Sequence, residues 1–175
     1  MRIERAKEEQ MEEILNIYRE ARQFMREQGN PDQWGEEYPR REMLEQDMKK
    51  GELYVCLEEE EIGAVFMFFT GTEPTYEVIW EGSWLNDRPY GTLHRIASSG
   101  KFRGAGRFCI SWCQEQCRRQ GLDMRADTHN DNLPMQKLLG SSGFHSCGTI
   151  YVEDGSSRIA YQYCTEEGAV THAQR

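Results

Sequence analysis

Three sets of residues in this 175-residue chain have the types and spacing to do chemistry. The first is Arg103-Gly104-Ala105-Gly106-Arg107, which follows an apolar, strand-like run, Thr92 to Ser98, and opens a helix-like run, Phe108 to Gln120. A glycine-bearing turn between a strand and a helix leaves backbone N–H groups pointing one way, at the positive end of the helix dipole. Such a turn can hold a phosphate or pyrophosphate. Its glycines let the anion approach the backbone, and the arginines add charge-assisted donors. The plainer reading is a tight turn that starts a helix. The second set is Asp127, His129 and His94. Asp127 closes the strand-like run Leu122 to Thr128, at the carboxyl end, where parallel strands open to ligand. His129 lies on the same side if the strand continues, and His94 sits on the neighbouring strand; imidazole is suited to proton transfer near neutral pH. Each also has a structural reading: Asp127 paired with Arg125 or Arg95, His94 as a satisfied core histidine. The third set is Cys109, Cys113 and Cys117, four apart on one helical face. Zinc needs thiolates converging from different elements, usually as paired C-x-x-C knuckles, and none is present. With Cys56, Cys147 and Cys164 they read as small buried apolar residues in a reducing compartment, and no metal is expected.

The elements that must position these residues follow from periodicity. Met1 to Lys7 reads as a first strand. Glu8 to Gln28 reads as a helix with Met11, Ile14, Leu15, Tyr18 and Met25 on one face, stopped by Gly29. Asn30 to Pro39 is a loop whose aromatics, Trp34 among them, either line a substrate pocket or cover the edge of the core. Arg41 to Lys50 is a second helix, with Met43, Leu44 and Met48 inward. Leu53 to Glu58 and Ile62 to Thr70 are strands, the second apolar on both faces and so central in its sheet. Tyr76 to Trp84 is either a further strand or an irregular aromatic loop. After the glycine turn and its helix come the strand Leu122 to Thr128 and a short helix, Asn132 to Ser142, which Asn132 can cap with Pro134 in the first turn. A hairpin of Phe144 to Val152 and Arg158 to Cys164 follows. Residues 1–164 read as one domain and 165–175 as a flexible tail. The order β-α-α-β-β-β-α-β-α-β-β predicts an α/β domain with a mixed sheet, antiparallel at first and parallel around the glycine turn.

Composition narrows the classes. The chain is 38% hydrophobic and carries a formal net charge of -9. That is enough apolar residue for a folded core, and a poor balance for general nucleic-acid binding, which needs clustered Lys and Arg. It is compatible with a cationic or amine partner. No apolar run approaches the ~20 residues that span a bilayer, and no signal-peptide pattern follows Met1. A cytoplasmic protein with no membrane partner is the expectation, and a homodimer is compatible with it.

The element order and the glycine turn together resemble the GNAT superfamily of acyl-CoA-dependent N-acyltransferases, across essentially the whole chain. The family's acyl-CoA pattern, R/Q-x-x-G-x-G/A, reads here as Arg103 to Phe108, with Phe108 at the usually small last position. A second pattern, N-x-x-A-x-x-x-Y-x-x-x-G-F, reads as Asn132, Met135, Leu139, Gly143 and Phe144. The runs His94 to Ser98 and Asp127 to Asn132 also resemble a bacterial subgroup.

The resemblance implies helices on both faces of the sheet and splayed central parallel strands. Acetyl-CoA is the implied co-substrate. The backbone of Ile96, Ala97 and Ser98 would pair with its pantetheine arm, and Arg103, Gly104, Ala105, Gly106, Arg107 and Phe108 would hold its pyrophosphate. Asn132 would bond the pantetheine as well as cap its helix. Asp127 aligns with a carboxylate that serves as base in part of the family, and His129 and His94 are weaker candidates. The family's usual acid, a tyrosine, is replaced by Leu139. Tyr151, Tyr161 or Tyr163 would then serve, or the thiolate would leave unassisted or take its proton from water. Trp34, Trp80 and Trp84 would help form an acceptor pocket. The implied activity is acetyl transfer to a primary amine of a small molecule, directly in a ternary complex. The rival readings are a CoA-binding module without catalysis and a transferase of another acyl group.

Overall fold

A computed structural model describes residues 1–165. The strands are β1 (Arg2–Arg5), β2 (Leu53–Glu58), β3 (Glu61–Thr70), β4 (Tyr90–Ser98), β5 (Asp123–Thr128), β6 (His145–Tyr151) and β7 (Ser157–Tyr163). The helices are α1 (Met11–Glu27), α2 (Arg41–Lys50), α3 (Ala105–Gln120) and α4 (Leu133–Ser141). The order is the one read from the sequence. The strands form a seven-stranded mixed sheet in the order β1-β2-β3-β4-β5-β7-β6, so the final hairpin enters with its second strand beside β5. The described residues divide into two compact units, one of residues 1–68 with 93–112, the other of 69–92 with 113–165. The expected tail lies outside the described residues except for Thr165. Its hydroxyl donates to the Leu122 carbonyl at 2.8 Å and its N–H to Asp123 Oδ1 at 3.2 Å.

In the first unit, β1–β2 and β2–β3 pair antiparallel. Residues Ile62 to Phe68 of β3 are all buried, as a strand apolar on both faces requires. α1 turns Met11, Ile14, Ile17 and Tyr18 inward, and they pack with Leu44, Leu53, Val55, Val65 and Ala97. Each such aliphatic side chain contributes about 1.5–3 kcal/mol of burial. α2 ends where the left-handed Gly51 donates back into its last turn. Its inward face also carries a charge that periodicity alone does not flag. Asp47 is buried and forms an ion pair with Arg95 of β4, whose own side chain is only 10% exposed. The N-terminal half of α3 is held by aromatics. Trp112 lies 5.0 Å from Tyr54, 5.9 Å from Phe66 and 6.0 Å from Phe68, centroid to centroid.

In the second unit, β7 pairs antiparallel with both β5 and β6. Residues Tyr76 to Trp84 take the loop alternative: a 3-10 turn at Pro74–Tyr76 leads into an irregular stretch with one bridge, Trp80 to Thr149 of β6. Gly82 permits this, because a Cβ there would lie 2.0 Å from the Cys147 carbonyl oxygen. The turn after Trp84 is fixed by a buried polar network. Asn86 Nδ2 donates to Asp123 Oδ2 at 2.8 Å, and Gln162 Nε2 donates to Asn86 Oδ1 at 3.0 Å. Asp123 and Gln162 are fully buried, and bonding their polar atoms removes the cost of burying them.

Candidate active site

The glycine turn is seated on β3. Ser99 N–H donates to the Gly63 carbonyl at 2.9 Å, and the Ser98 hydroxyl to the same oxygen at 3.4 Å. A Cβ on Gly63 would come within 3.0 Å of the Phe102 ring and 3.5 Å of Ala105 Cβ, so glycine on β3 is what lets the turn sit down. α3 starts at Ala105 rather than at Phe108. Gly104 is left-handed, at φ +84°, and its carbonyl accepts the first helical bond, from Phe108 N–H at 2.9 Å. Gly106 and Arg107 are therefore first-turn helix residues. A glycine there costs less than in a helix interior, and its N–H belongs to the set with no preceding intrahelical acceptor. Arg103 and Phe108 are exposed, while Ala105, Cys109 and Ile110 face the core. Phe108 thus sits on the outer side of the helix and leaves its packing undisturbed.

Just before the turn, β4 carries an unusual backbone. Arg95 has φ +52°, uncommon for a residue with a side chain. It is over-determined: Tyr18 donates its hydroxyl to the Arg95 carbonyl at 2.7 Å, and the Arg95 guanidinium donates to Asp47 and to Tyr38 Oη at 3.2 Å. Ile96 is part-buried, Ala97 buried and Ser98 exposed beyond this point. His94 is part-buried on the same strand. Arg95 is accordingly committed to Asp47.

Asp127, His129 and Asn132 belong to the second unit. Tyr76 donates its hydroxyl to Asp127 Oδ2 at 2.6 Å. Burial first, and then the Asp127 charge, hold the Tyr76 hydroxyl well above the ordinary phenol range, so it stays protonated as the donor. Sequence reasoning missed this residue, which lies 51 positions from its partner. Its only signal was the aromatic density from Tyr76 to Tyr90. Arg125, two residues before Asp127, lies between Trp84 and Tyr90 at 4.0 and 4.1 Å from their centroids and donates to the Asn86 carbonyl at 3.0 Å. His129 Nδ1 accepts from Asp131 N–H at 3.1 Å, which leaves Nε2 to carry the proton of the neutral ring. His129 is thereby arranged as a donor. Asn132 Oδ1 accepts from Met135 N–H at 3.1 Å, the expected cap of α4.

The remaining candidates separate by environment. Trp34 packs against the first unit's core, 5.6 Å from Tyr18, so it covers the core edge. Trp84 is part-buried over Tyr76 at 5.3 Å, whereas Trp80 is 55% exposed with Tyr151 6.4 Å away. Leu139 is fully buried. Tyr161 is nearly buried, which raises its hydroxyl pKa, and Tyr163 lies 5.7 Å from Phe144. None of the six cysteines is in a disulfide bond. Burial pushes the Cys117 thiol up to about 12 and those of Cys147 and Cys164 up to about 11, so none of these three is a ready nucleophile. Among the described residues no three His, Cys, Asp or Glu side chains are grouped to hold a metal ion, and no helix is long and apolar enough to cross a membrane.

No protein-family model and no curated protein matches the sequence. Solved structures do. An acetyltransferase of the GNAT family from Streptococcus agalactiae 2603 is 32% identical, with a TM-score of 0.80, over 95% of this chain and 96% of that one. The chain belongs to the GNAT family of acetyltransferases. Two more distant structures share the fold. The Salmonella typhimurium protein yncA, solved with its cofactor acetyl-CoA, is 17% identical with a TM-score of 0.63, covering 99% of this chain and 98% of that one. The ribosomal-protein-alanine N-acetyltransferase of Brucella melitensis is 18% identical with a TM-score of 0.64, covering 94% and 99%. This GNAT acetyltransferase takes its acyl group from an acyl-CoA, and the glycine turn is the candidate site for its pyrophosphate. Apart from Gly104 and its two chain neighbours, nothing lies within 4 Å of where a Gly104 Cβ would be, and an exposed arginine precedes it. Replacing Arg103 with glutamate sets a like charge beside that anion. Acetyl-CoA affinity is expected to fall roughly 10- to 100-fold, the loss of one or two charge-assisted bonds. Isothermal titration reads this directly, and unchanged affinity would move the anion site off the turn.

Proposed function

We propose that the enzyme acetylates a primary amine of a small molecule, directly from acetyl-CoA with both substrates bound. The observation that carries the proposal is Asp127, a part-buried carboxylate one residue from the carboxyl end of β5, held through Oδ2 by a buried hydroxyl. A carboxylate there attracts an ammonium group and can take its proton, which frees the nitrogen lone pair. When bound, acetyl-CoA supplies an acetyl thioester for that nitrogen to attack. Arg103, Arg107 and the N–H groups from Gly104 to Arg107 would bind the pyrophosphate, the Phe108 N–H being taken by the Gly104 carbonyl. The backbone of Ile96, Ala97 and Ser98 would hold the pantetheine arm and offer an N–H to the thioester oxygen. Asn132, already the cap of α4, would add a contact to the same arm.

His129 presents a donor at Nε2, so we assign proton removal to Asp127 and give His129 and His94 lesser parts. Leu139 has no proton to give at the position where the family has a tyrosine, and we assign protonation of the departing thiolate to water. Trp84 is the stronger of the acceptor-pocket tryptophans, because it packs on the residue that holds Asp127. The net charge of -9 favours a cationic acceptor over nucleic acid. Cysteines outside any disulfide suit a reducing cytoplasm. A thiol-release assay with acetyl-CoA against a panel of primary amines tests the proposal. It predicts amine-dependent, saturable release; binding of acetyl-CoA without release across the panel would reject it.

A further inference from the structure

We infer that Tyr76 is a positioning residue, fixing the Asp127 carboxylate and through it the acceptor amine. The inference rests on the reading of Asp127 as proton acceptor. A carboxylate at a strand end can turn about its own side-chain bonds, and a base that turns away from its proton loses most of its effect. Here one oxygen is tied. Tyr76 is 1% exposed and reaches Oδ2 at 2.6 Å from a different part of the chain.

Tyr76 is itself unable to drift. Its ring packs on Trp84 at 5.3 Å and Tyr90 at 6.2 Å, and its carbonyl accepts from Trp84 Nε1 at 2.9 Å. Tyr90 is tied in turn by the Glu73 N–H, which donates to its hydroxyl at 3.0 Å. Trp84 and Tyr90 also enclose the Arg125 guanidinium, which shares the Asp127 face of β5 by strand alternation. The loop from Glu73 to Tyr90 and strand β5 therefore lock together around one hydroxyl-to-carboxylate bond. A tyrosine needed for packing alone would not require that hydroxyl to meet the carboxylate.

The test compares Tyr76→Phe, Asp127→Asn and the double variant, full length, by thiol release with acetyl-CoA and a turned-over amine, alongside thermal melting. Phenylalanine keeps the ring and removes only the bond. The expected result is a fall in kcat of roughly 10- to 100-fold for Tyr76→Phe, with the acetyl-CoA KM changed less than about 2-fold, because the pyrophosphate turn is untouched. The double variant should be no slower than Asp127→Asn alone, since both remove the same function. Asp127→Glu is a second probe: it keeps the base but pushes it one methylene past Tyr76, and should lose kcat as Tyr76→Phe does. Wild-type kcat in Tyr76→Phe or Asp127→Glu, or losses that multiply in the double variant, would overturn the inference while leaving the role of Asp127 standing. Wild-type turnover in Asp127→Asn would overturn both.

Discussion

Asp127→Asn is expected to lower kcat by roughly 10²- to 10⁴-fold, the usual worth of a positioned acid–base group. The substitution is close to isosteric. The amide oxygen can still accept the Tyr76 hydroxyl now bonded at 2.6 Å, so the loop and β5 should stay in place. What is lost is a basic site for the amine proton. Melting temperature and acetyl-CoA affinity should therefore change little while turnover collapses, a split that a folding defect would not give. Steady-state kinetics beside a melting curve reads it, and unchanged kcat would remove Asp127 from the mechanism.

The largest expected effect on stability is at Asp47. Its carboxylate is 7% exposed and pairs with the nearly buried Arg95 guanidinium. Asp47→Ala leaves that charge without its counter-ion, a change that costs about 3–5 kcal/mol when one partner of a buried pair is removed. For a chain of this size that corresponds to a fall in melting temperature of roughly 6–20 °C. The damage has a functional side. Arg95 holds φ +52° just before Ile96, Ala97 and Ser98, and the Asp47 pair is one of the contacts keeping it there. Asp47→Ala is expected to weaken acetyl-CoA binding as well as melting. Calorimetric melting checks the first effect and titration the second; an unchanged melting temperature would show that water, rather than Asp47, supports the guanidinium.

Much of the fold and part of the site were legible in the residues. The glycine turn could be found because strand, turn and helix signals adjoin in sequence, and the chemistry of Gly104 is local. The start of α3 was placed three residues late, because glycine disfavours helix interiors and the first turn is exempt from that rule. The exposure of Phe108 was not readable, since only the inward positions of Ala105, Cys109 and Ile110 fix which way that step of the helix faces. The Tyr76–Asp127 bond and the Arg95–Asp47 pair were missed for a different reason. They join residues 51 and 48 apart, and no periodic signal encodes a polar contact between distant elements. Asp47 did leave a trace: it stands three residues after Leu44, on the inward stripe of α2, where a charge is costly unless paired. Asn132 was readable as the cap of α4, because a cap needs only a side-chain oxygen placed at the start of a helix.

The central claim is that the acetyl group passes directly to an amine nitrogen. The most direct test uses acetyl-CoA with an isotopically labelled acetyl group, mass spectrometry of protein and amine, and thiol release measured in the same sample. The account predicts label on the amine nitrogen, equal to the thiol released, with none held on the protein. Label retained on a cysteine, or thiol released without labelled amine, would contradict it.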